Sequence, residues 1–358
     1  MEWMIEPLLK WYSENKRMLP WREAPTAYHV WVSEIMLQQT KVKSVEDYYE
    51  KFIEKLPTVR SLARISEERL LKIWEGLGYY NRVKNMKRAA RIMVNEFNGE
   101  MPKDYETLLT LPGIGEYTAG AIASIVYNEK VPAVDGNVLR VISRIRADER
   151  DVLSPITRKD ITRDLREIMP EQAGDFNEAL MELGETICLA SAKPICFKCP
   201  LAPGCKARAL KKQAEIPNRE RKTERTKEYM NVYLLKKDGK LAIRKREKTG
   251  LLSSMYEFPN SLLEIGEQLE KWNITAENIE DKGVFQHVFT HKEWYMQVFE
   301  VEVKEEVKPF IWAKEEELQN KYPMPTAFFK IIQAQQIWRE LELKIAKREK
   351  KKKGYMQK

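Results

Sequence analysis

The sequence predicts a two-domain protein, mostly α-helical to about Leu210 and α+β from about Tyr229 onward. Apolar residues recur every three or four positions through most of the first part, the spacing of one buried helix face. From Tyr229 the period changes to two, as in half-buried strands. Between the two patterns, all four cysteines of the chain fall in the single stretch Cys188–Cys205. At 358 residues the chain is long for one hydrophobic core, so two compact domains are the expectation.

Taken in order, Met1–Lys16 reads as an amphipathic helix that carries acidic residues and lacks a signal-peptide pattern. The chain is therefore expected to start near Met1 and to be cytoplasmic. Ala27–Gln38, Ser44–Leu56, Ser66–Leu77 and Val83–Phe97 follow as helices, punctuated by Pro57, Gly76–Gly78, Gly99 and Pro102. Thr118–Tyr127, Val138–Ile145 and Phe176–Ile187 continue the helical pattern, giving a first domain over residues 1–210. Residues 211–228 are polar and highly charged and read as a linker. Tyr229–Lys236 and Lys240–Arg246 then alternate around an Asp238-Gly239 turn, and Trp294–Val303 alternates again. Helical spacing returns near Gly266–Trp272 and Ala327–Leu343, which makes residues 229–343 an α+β domain. Residues 344–358, with Lys350–Lys353, read as a basic tail with a solvated end. No apolar run approaches the roughly 18 residues that a membrane span needs.

Lys and Arg number 62 against 54 Asp and Glu, a net charge of +8 that suits a polyanionic partner. A merely solvated surface accounts for that charge equally well. The cysteines are more specific. Their spacing is Cys188-x7-Cys196-x2-Cys199-x5-Cys205, and such clustering in a cytosolic chain points to a metal site rather than to disulfides. Structural zinc sites usually pair two short Cys-x-x-Cys knuckles, and only one is present here. Four thiolates also suit one 4Fe–4S cluster, with zinc as the competing occupant. Lys193, Lys198 and Lys206 beside the cysteines suggest a loop that faces phosphate.

Leu111-Pro112-Gly113-Ile114-Gly115 separates two helical stretches and exposes backbone N–H groups near a helix N-terminus, a geometry that binds phosphate. Downstream lies Ala133-Val134-Asp135-Gly136-Asn137-Val138. A helix-hairpin-helix followed by this acidic loop resembles the endonuclease III superfamily of DNA glycosylases. Ser33-Glu34-Ile35-Met36-Leu37-Gln38-Gln39-Thr40, Gly76-Leu77-Gly78-Tyr79-Tyr80-Asn81-Arg82 and Asp135-Gly136-Asn137 look like the MutY family of adenine glycosylases, which act opposite 8-oxoguanine. The resemblance covers Leu9 to Leu210 strongly and the second domain, which resembles a Nudix-like domain, more loosely.

The resemblance implies a helical glycosylase domain with an iron–sulfur loop, a Nudix-like recognition domain, and a monomer. Its implied partner is double-stranded DNA carrying adenine opposite 8-oxoguanine or guanine. Adenine leaves readily only when N7 is protonated, so an acid must sit beside the base. Glu34, on a helix among Trp31, Ile35 and Leu37, fits that role if burial raises its pKa. Ionised Asp135 would stabilise the oxocarbenium-like sugar. Tyr117 and Asn137 would orient the sugar and Asp135. Tyr117 also stands where the bifunctional branch carries its lysine nucleophile, so the resemblance implies an enzyme without lyase chemistry. By the same match Gly113 and Gly115 grip the DNA backbone, and Gln39 and Tyr79 enter the opened stack. Arg17, Trp21 and Glu178 would line the adenine pocket, and Thr290 and His291 would read the oxidised base.

Two positions depart from the family. Thr290 stands where it usually has serine in Phe-Ser-His, and the first cysteine gap holds seven residues instead of six. The magnesium-binding glutamate helix of catalytic Nudix enzymes is missing after Gly250-Leu251-Leu252-Ser253, so pyrophosphate hydrolysis is not expected. An endonuclease III-like glycosylase with lyase activity and a non-catalytic damage-binding protein are the competing readings. Tyr117 argues against the first, and intact Glu34 and Asp135 against the second.

Overall fold

The computed structural model describes residues 1–190, 193–219 and 224–334. The basic tail 344–358, the distal part of the helix expected over Ala327–Leu343 and a stretch inside the 211–228 segment lie outside the described residues.

The helices are α1 (Ile5–Asn15), α2 (Pro20–Glu23), α3 (Ala27–Leu37), α4 (Val42–Lys55), α5 (Val59–Arg64), α6 (Glu67–Ile73), α7 (Asn81–Glu96) and α8 (Tyr105–Leu109). They continue with α9 (Glu116–Tyr127), α10 (Gly136–Arg146), α11 (Pro155–Glu167), α12 (Ala173–Thr186), α13 (Lys206–Ala209), α14 (Ile265–Lys271) and α15 (Glu315–Asn320). Residues 326–334 are also helical. The strands are β1 (Thr226–Lys237), β2 (Lys240–Lys245), β3 (Tyr256–Glu257), β4 (Asn260–Ser261), β5 (Ala276–Val288), β6 (Lys292–Val303) and β7 (Ile311–Lys314). None of the described helices is long and apolar enough to cross a membrane.

Side-chain caps set several helix starts. Thr26 accepts from His29 N at α3, Ser66 from Arg69 N at α6, and Asp104 from Thr107 N at α8. Thr58 and Ser61 form a reciprocal capping box at α5. Of the two glycines in the α8–α9 turn, only Gly113 needs to be glycine. Its φ is +81°, and a Cβ there would lie 2.6 Å from Asn85 Cβ. Gly115 is extended, with open space around it, and N-caps α9 without a side-chain bond.

The chain divides into two compact units. The first comprises residues 1–65 and 81–222 and is helical. In one of its cores Met4, just before α1, and Leu8 and Tyr12 of α1 meet Val138, Ile142 and Ile145 of α10 and Phe176, Leu180 and Leu183 of α12. The 211–228 segment is not simply a linker. Ile216 is buried and its carbonyl accepts from Arg144 Nε at 2.8 Å, while Val152 N donates to Asn218 O at 3.2 Å. At Asn218, eight residues past the sequence-based boundary, the chain is still packed on the first unit, and β1 already begins at Thr226.

Among the described residues, the second unit comprises residues 66–80 together with 224–334. This corrects the assignment of Ser66–Leu77 to the helical domain, and the reason is a set of specific ties. Glu68 accepts the Tyr256 hydroxyl, Lys72 Nζ donates to Leu318 O and Tyr322 O, and Met324 N donates to Glu75. The sheet runs β3-β2-β1-β6-β5, with β4 on β1 and β7 on β2; β1 and β6 are parallel and the other pairs antiparallel. Central β1 is buried on both faces. Val232 and Leu234 join one core with Trp294, Met296 and Phe328, while Tyr233 and Leu235 join another with Val301 and Phe310.

Candidate active site

A cavity of about 500 Å³ opens in the first unit between the end of α3, the start of α9, the start of α10 and one side of α12. Arg17, Trp21, Glu34, Gln39, Tyr117, Asp135, Asn137 and Glu178 all line it. Eight of the residues singled out in the sequence, spread from position 17 to 178, therefore share one pocket.

Glu34 lies on the last turn of α3, only 6% exposed, and accepts the Tyr117 hydroxyl at Oε2. Burial pushes its carboxyl up to about 7; the Tyr117 bond opposes that rise and the charge of Asp135 adds to it. Tyr117 also reaches Met181 Sδ at 3.3 Å, and burial beside Glu34 holds its phenol well above the usual range. The phenol is therefore neutral and acts as a donor.

Asp135 N-caps α10. Its Oδ1 accepts from Val138 N at 2.7 Å, and its Oδ2 from Asn137 Nδ2 at 2.8 Å. Burial raises its carboxyl above the ordinary value, against these two bonds. Asn137 is held in turn by Arg140 Nη2, which donates to its Oδ1 at 2.8 Å, and its Nδ2 also donates to Glu185 Oε1 at 3.0 Å. Gly184 of α12 permits this approach, since a Cβ there would stand 2.6 Å from Asn137 Cβ. Arg140 further donates to Gly184 O at 2.9 Å and to Cys188 O at 2.8 Å.

Several charged lining residues had escaped notice. Glu182, almost fully buried, accepts Arg17 Nε at 2.5 Å and Arg22 Nη1 at 3.0 Å, while Arg22 Nε donates to Glu178 at 2.8 Å. Trp21 is buried edge-on to Tyr49, with ring centroids 5.5 Å apart. Arg82 Nη1 donates to the carbonyls of Ile35, Met36 and Gln38 at 2.6–3.0 Å, closing the C-terminus of α3. Past that end Gln39 takes a φ of +59° at the pocket edge. Arg82 closes the Gly76–Arg82 motif but was given no role there, and Arg22, Glu182 and Arg140 lie in no motif. Their only advance signal was a charge on a face that otherwise reads as buried.

The four cysteines are free thiols, each partly buried, and all line one cavity of about 30 Å³ with Leu201, Pro194 and Arg144. Arg144 Nη1 donates to Cys188 Sγ at 3.3 Å and to the carbonyls of Cys188 and Leu189. Among the described residues, no group of three or more His, Cys, Asp or Glu is arranged to hold a single metal ion. The four thiols lining one apolar cavity are a donor set chemically suited to a four-thiolate group. Phe197 and Lys198 stand exposed or half-exposed at the loop, the ammonium 6.0 Å from the ring centroid.

Tyr79, Thr290 and His291 belong to the second unit. Phe289 N donates to Lys292 O at 2.8 Å, which puts exposed Thr290 and His291 at the tip of the β5–β6 hairpin. Thr290 Oγ1 lies 2.7 Å from the Tyr79 hydroxyl, and Tyr79 is 45% exposed with a φ of +47°. His287 packs on Phe289 at 4.5 Å, and burial lowers its pKa.

Residues 32–171 match the family described as HhH-GPD superfamily base excision DNA repair protein, and residues 231–334 match the NUDIX domain. The chain is 35% identical over 356 residues to the adenine DNA glycosylase of Mus musculus, covering 82% of this chain and 69% of that protein. It is 34% identical to the adenine DNA glycosylase of Homo sapiens, of whose length it spans 65%. For the protein of the same name from Buchnera aphidicola subsp. Acyrthosiphon pisum the figures are 34% identity, 79% of this chain and 82% of that protein. Among solved structures, a thermostable thymine-DNA glycosylase aligns with a TM-score of 0.52 at 26% identity, covering 58% of this chain and 96% of that one.

Proposed function

This chain belongs to the adenine DNA glycosylases of the helix-hairpin-helix base excision repair superfamily, and from that premise we propose that it hydrolyses adenine from mispairs with 8-oxoguanine and with guanine, without cleaving the strand. The observation that carries this reading is the pairing of two unlike carboxyl groups in one cavity. Glu34 is poised near neutrality by burial, and Asp135 is held by two N–H donors.

Two carboxyls in one buried pocket do not ionise equally. The charge belongs on Asp135, which accepts from an amide N–H and a side-chain NH2 and lies near the Arg140 guanidinium. The proton belongs on Glu34, which has one phenol donor and is only 6% exposed. Glu34 gives its proton to N7 of the flipped adenine as the bond from C1′ to N9 breaks, and the electron pair leaves with the base. The Asp135 carboxylate stabilises the positive charge that builds on the sugar. Water adds its oxygen to C1′, and its released proton restores the carboxyl pair, so adenine and an abasic sugar are the products. Arg17, Trp21 and Glu178 form the walls that receive the base, with Glu182 fixing both guanidiniums. With Tyr117 in place of an amine, no Schiff base forms on the sugar.

Cys188, Cys196, Cys199 and Cys205 would hold a 4Fe–4S cluster, which when bound would cross-link and order the loop. In the second unit, Thr290 and His291 at the hairpin tip and Tyr79 beside them support a recognition role toward the base opposite adenine. Gln39, Gly113 and Gly115 are assigned to DNA contact by the same reading.

A single-turnover assay on a duplex with one adenine opposite 8-oxoguanine tests this function. The expected product is an abasic site that breaks only after alkali, lost in Glu34→Gln and Asp135→Asn. Cleavage without alkali, or a borohydride-trapped enzyme–DNA adduct, would overturn the monofunctional assignment. Absence of free adenine would overturn the function itself.

A further inference from the structure

Residues 66–80 lie between two segments of the first unit in sequence, yet they pack as part of the second. What docks them is unusual for its charge. Lys72 and Glu75 are one helical turn apart, with Nζ 2.6 Å from Oε2, and their side chains are only 14% and 19% exposed. Each then uses its remaining capacity on backbone of the same short stretch. Lys72 Nζ donates to Leu318 O at 3.0 Å and to Tyr322 O at 3.2 Å, at the C-terminal end of α15. Glu75 Oε1 accepts from Met324 N at 2.6 Å. A cation on helix-terminal carbonyls and an anion on a free amide are each charge-assisted bonds.

The receiving stretch is itself fixed. Leu318 and Met324 are fully buried, Tyr256 N donates to Pro323 O at 2.8 Å, and the Tyr256 and Tyr322 rings meet at 4.8 Å. Downstream of the pair, the 74–80 turn is closed by Trp74 Nε1 on Gly78 O at 3.0 Å and by Gly76 N on the Tyr80 hydroxyl at 3.3 Å. Tyr79 leaves that turn in a left-handed backbone conformation that costs a non-glycine residue free energy and needs support.

We propose that Lys72 and Glu75 are positioning residues for lesion discrimination: their buried pair clasps residues 66–80 to residues 318–324 and so fixes Tyr79 beside Thr290. This rests on the reading above that Tyr79 enters the DNA beside the base opposite adenine. Neither residue touches DNA in this scheme. They act by setting where the Tyr79 ring stands before DNA arrives, which lowers the ordering cost at binding.

The test uses the full chain with Lys72→Met, Glu75→Ala, Glu75→Gln, the Lys72→Met/Glu75→Ala double variant, and Tyr79→Ala as the reference. Amide hydrogen exchange in free protein reads the clasp, and the ratio of single-turnover rates on adenine opposite 8-oxoguanine and opposite guanine reads discrimination. Glu75→Ala should speed exchange over residues 74–80 by about tenfold, with β1 and β6 unchanged, and lower the ratio to that of Tyr79→Ala. Glu75→Gln keeps an acceptor for Met324 N and should do less, and the double variant should be no worse than the more damaging single one. Lys72→Met and Glu75→Gln still decide the matter if Glu75→Ala does not fold. Unchanged exchange over 74–80 overturns the clasp. Faster exchange with an intact ratio, where Tyr79→Ala lowers it, overturns the positioning role. If Tyr79→Ala itself leaves the ratio intact, the assignment of Tyr79 to DNA has failed, and the positioning role falls with it.

Discussion

The Tyr117 hydroxyl donates to Oε2 of Glu34, so this phenol bears directly on the carboxyl that the proposed reaction uses as its acid. Burial drives the Glu34 carboxyl up to about 7, and this bond, which favours the carboxylate, restrains the rise. Tyr117→Phe removes the restraint. The Glu34 pKa should then climb further, and the alkaline limb of kcat/KM should move to higher pH. In the wild type the rate should decline as pH rises through about 7, because the acid loses its proton. A pH–rate profile of both proteins checks the direction, and a limb that stays put or moves down would refute the role given to Tyr117.

The same buried carboxyl couples stability to pH. Glu34 binds its proton more tightly folded than unfolded, so its contribution is fully present below about pH 4.5 and is lost as pH rises through about 7. Glu34→Gln removes that dependence while filling the same space. The variant should melt at a higher temperature than the wild type at pH 8 by a few degrees, with the difference shrinking or reversing by pH 5. Thermal melts across that range decide it. A difference independent of pH would mean that Glu34 is not the titrating group.

How far the sequence reveals this site depends on where each residue finds its partner. Glu34, Asp135 and Asn137 sit in short local motifs, and the Asp135 cap at α10 needs only the next three residues. Arg17 and Glu182 are 165 positions apart, and neither carries a local sign of the other. Residues 66–80 read as one more helix of the first unit because Lys72 and Glu75 find their partners some 250 positions later. Strand β5 escaped for a different reason. It lies at the sheet edge, is largely exposed, and is broken by a register shift between Asp281 and Val284, so no two-residue alternation survives. The charged 211–219 stretch looked like a linker because its one buried anchor, Ile216, is held by Arg144 from α10.

Arg140 joins the pocket to the cysteine loop through Asn137 Oδ1 on one side and Cys188 O on the other. Arg140→Met should therefore damage both ends, slowing adenine excision by about 10–100-fold and reducing the iron retained per chain. Asn137→Ala breaks only the pocket end, so it should slow excision and leave the iron in place. Parallel single-turnover rates and iron determinations separate the two. Full iron retention in Arg140→Met would show that its bond to Cys188 O does not support the loop.

The cysteine loop docks on the first unit through Leu201, which is buried in the core that also holds Met4, Leu8 and Ile142, and through Gly204, where a Cβ would strike the Trp3 ring at 2.4 Å. Loss of the proposed cluster should loosen this unit and spare the other. Cys199→Ala removes one of four ligands from a cavity too apolar to hydrate the remaining thiolates well. The variant purified without oxygen should carry little iron, and proteases should cut it within 193–210 before they cut the β1–β6 region. Exchange protection should fall in α1 and α10 and persist in β6. Stoichiometric zinc in the wild type, or full protection of α1 and α10 in the variant, would defeat the iron–sulfur assignment or its structural role respectively.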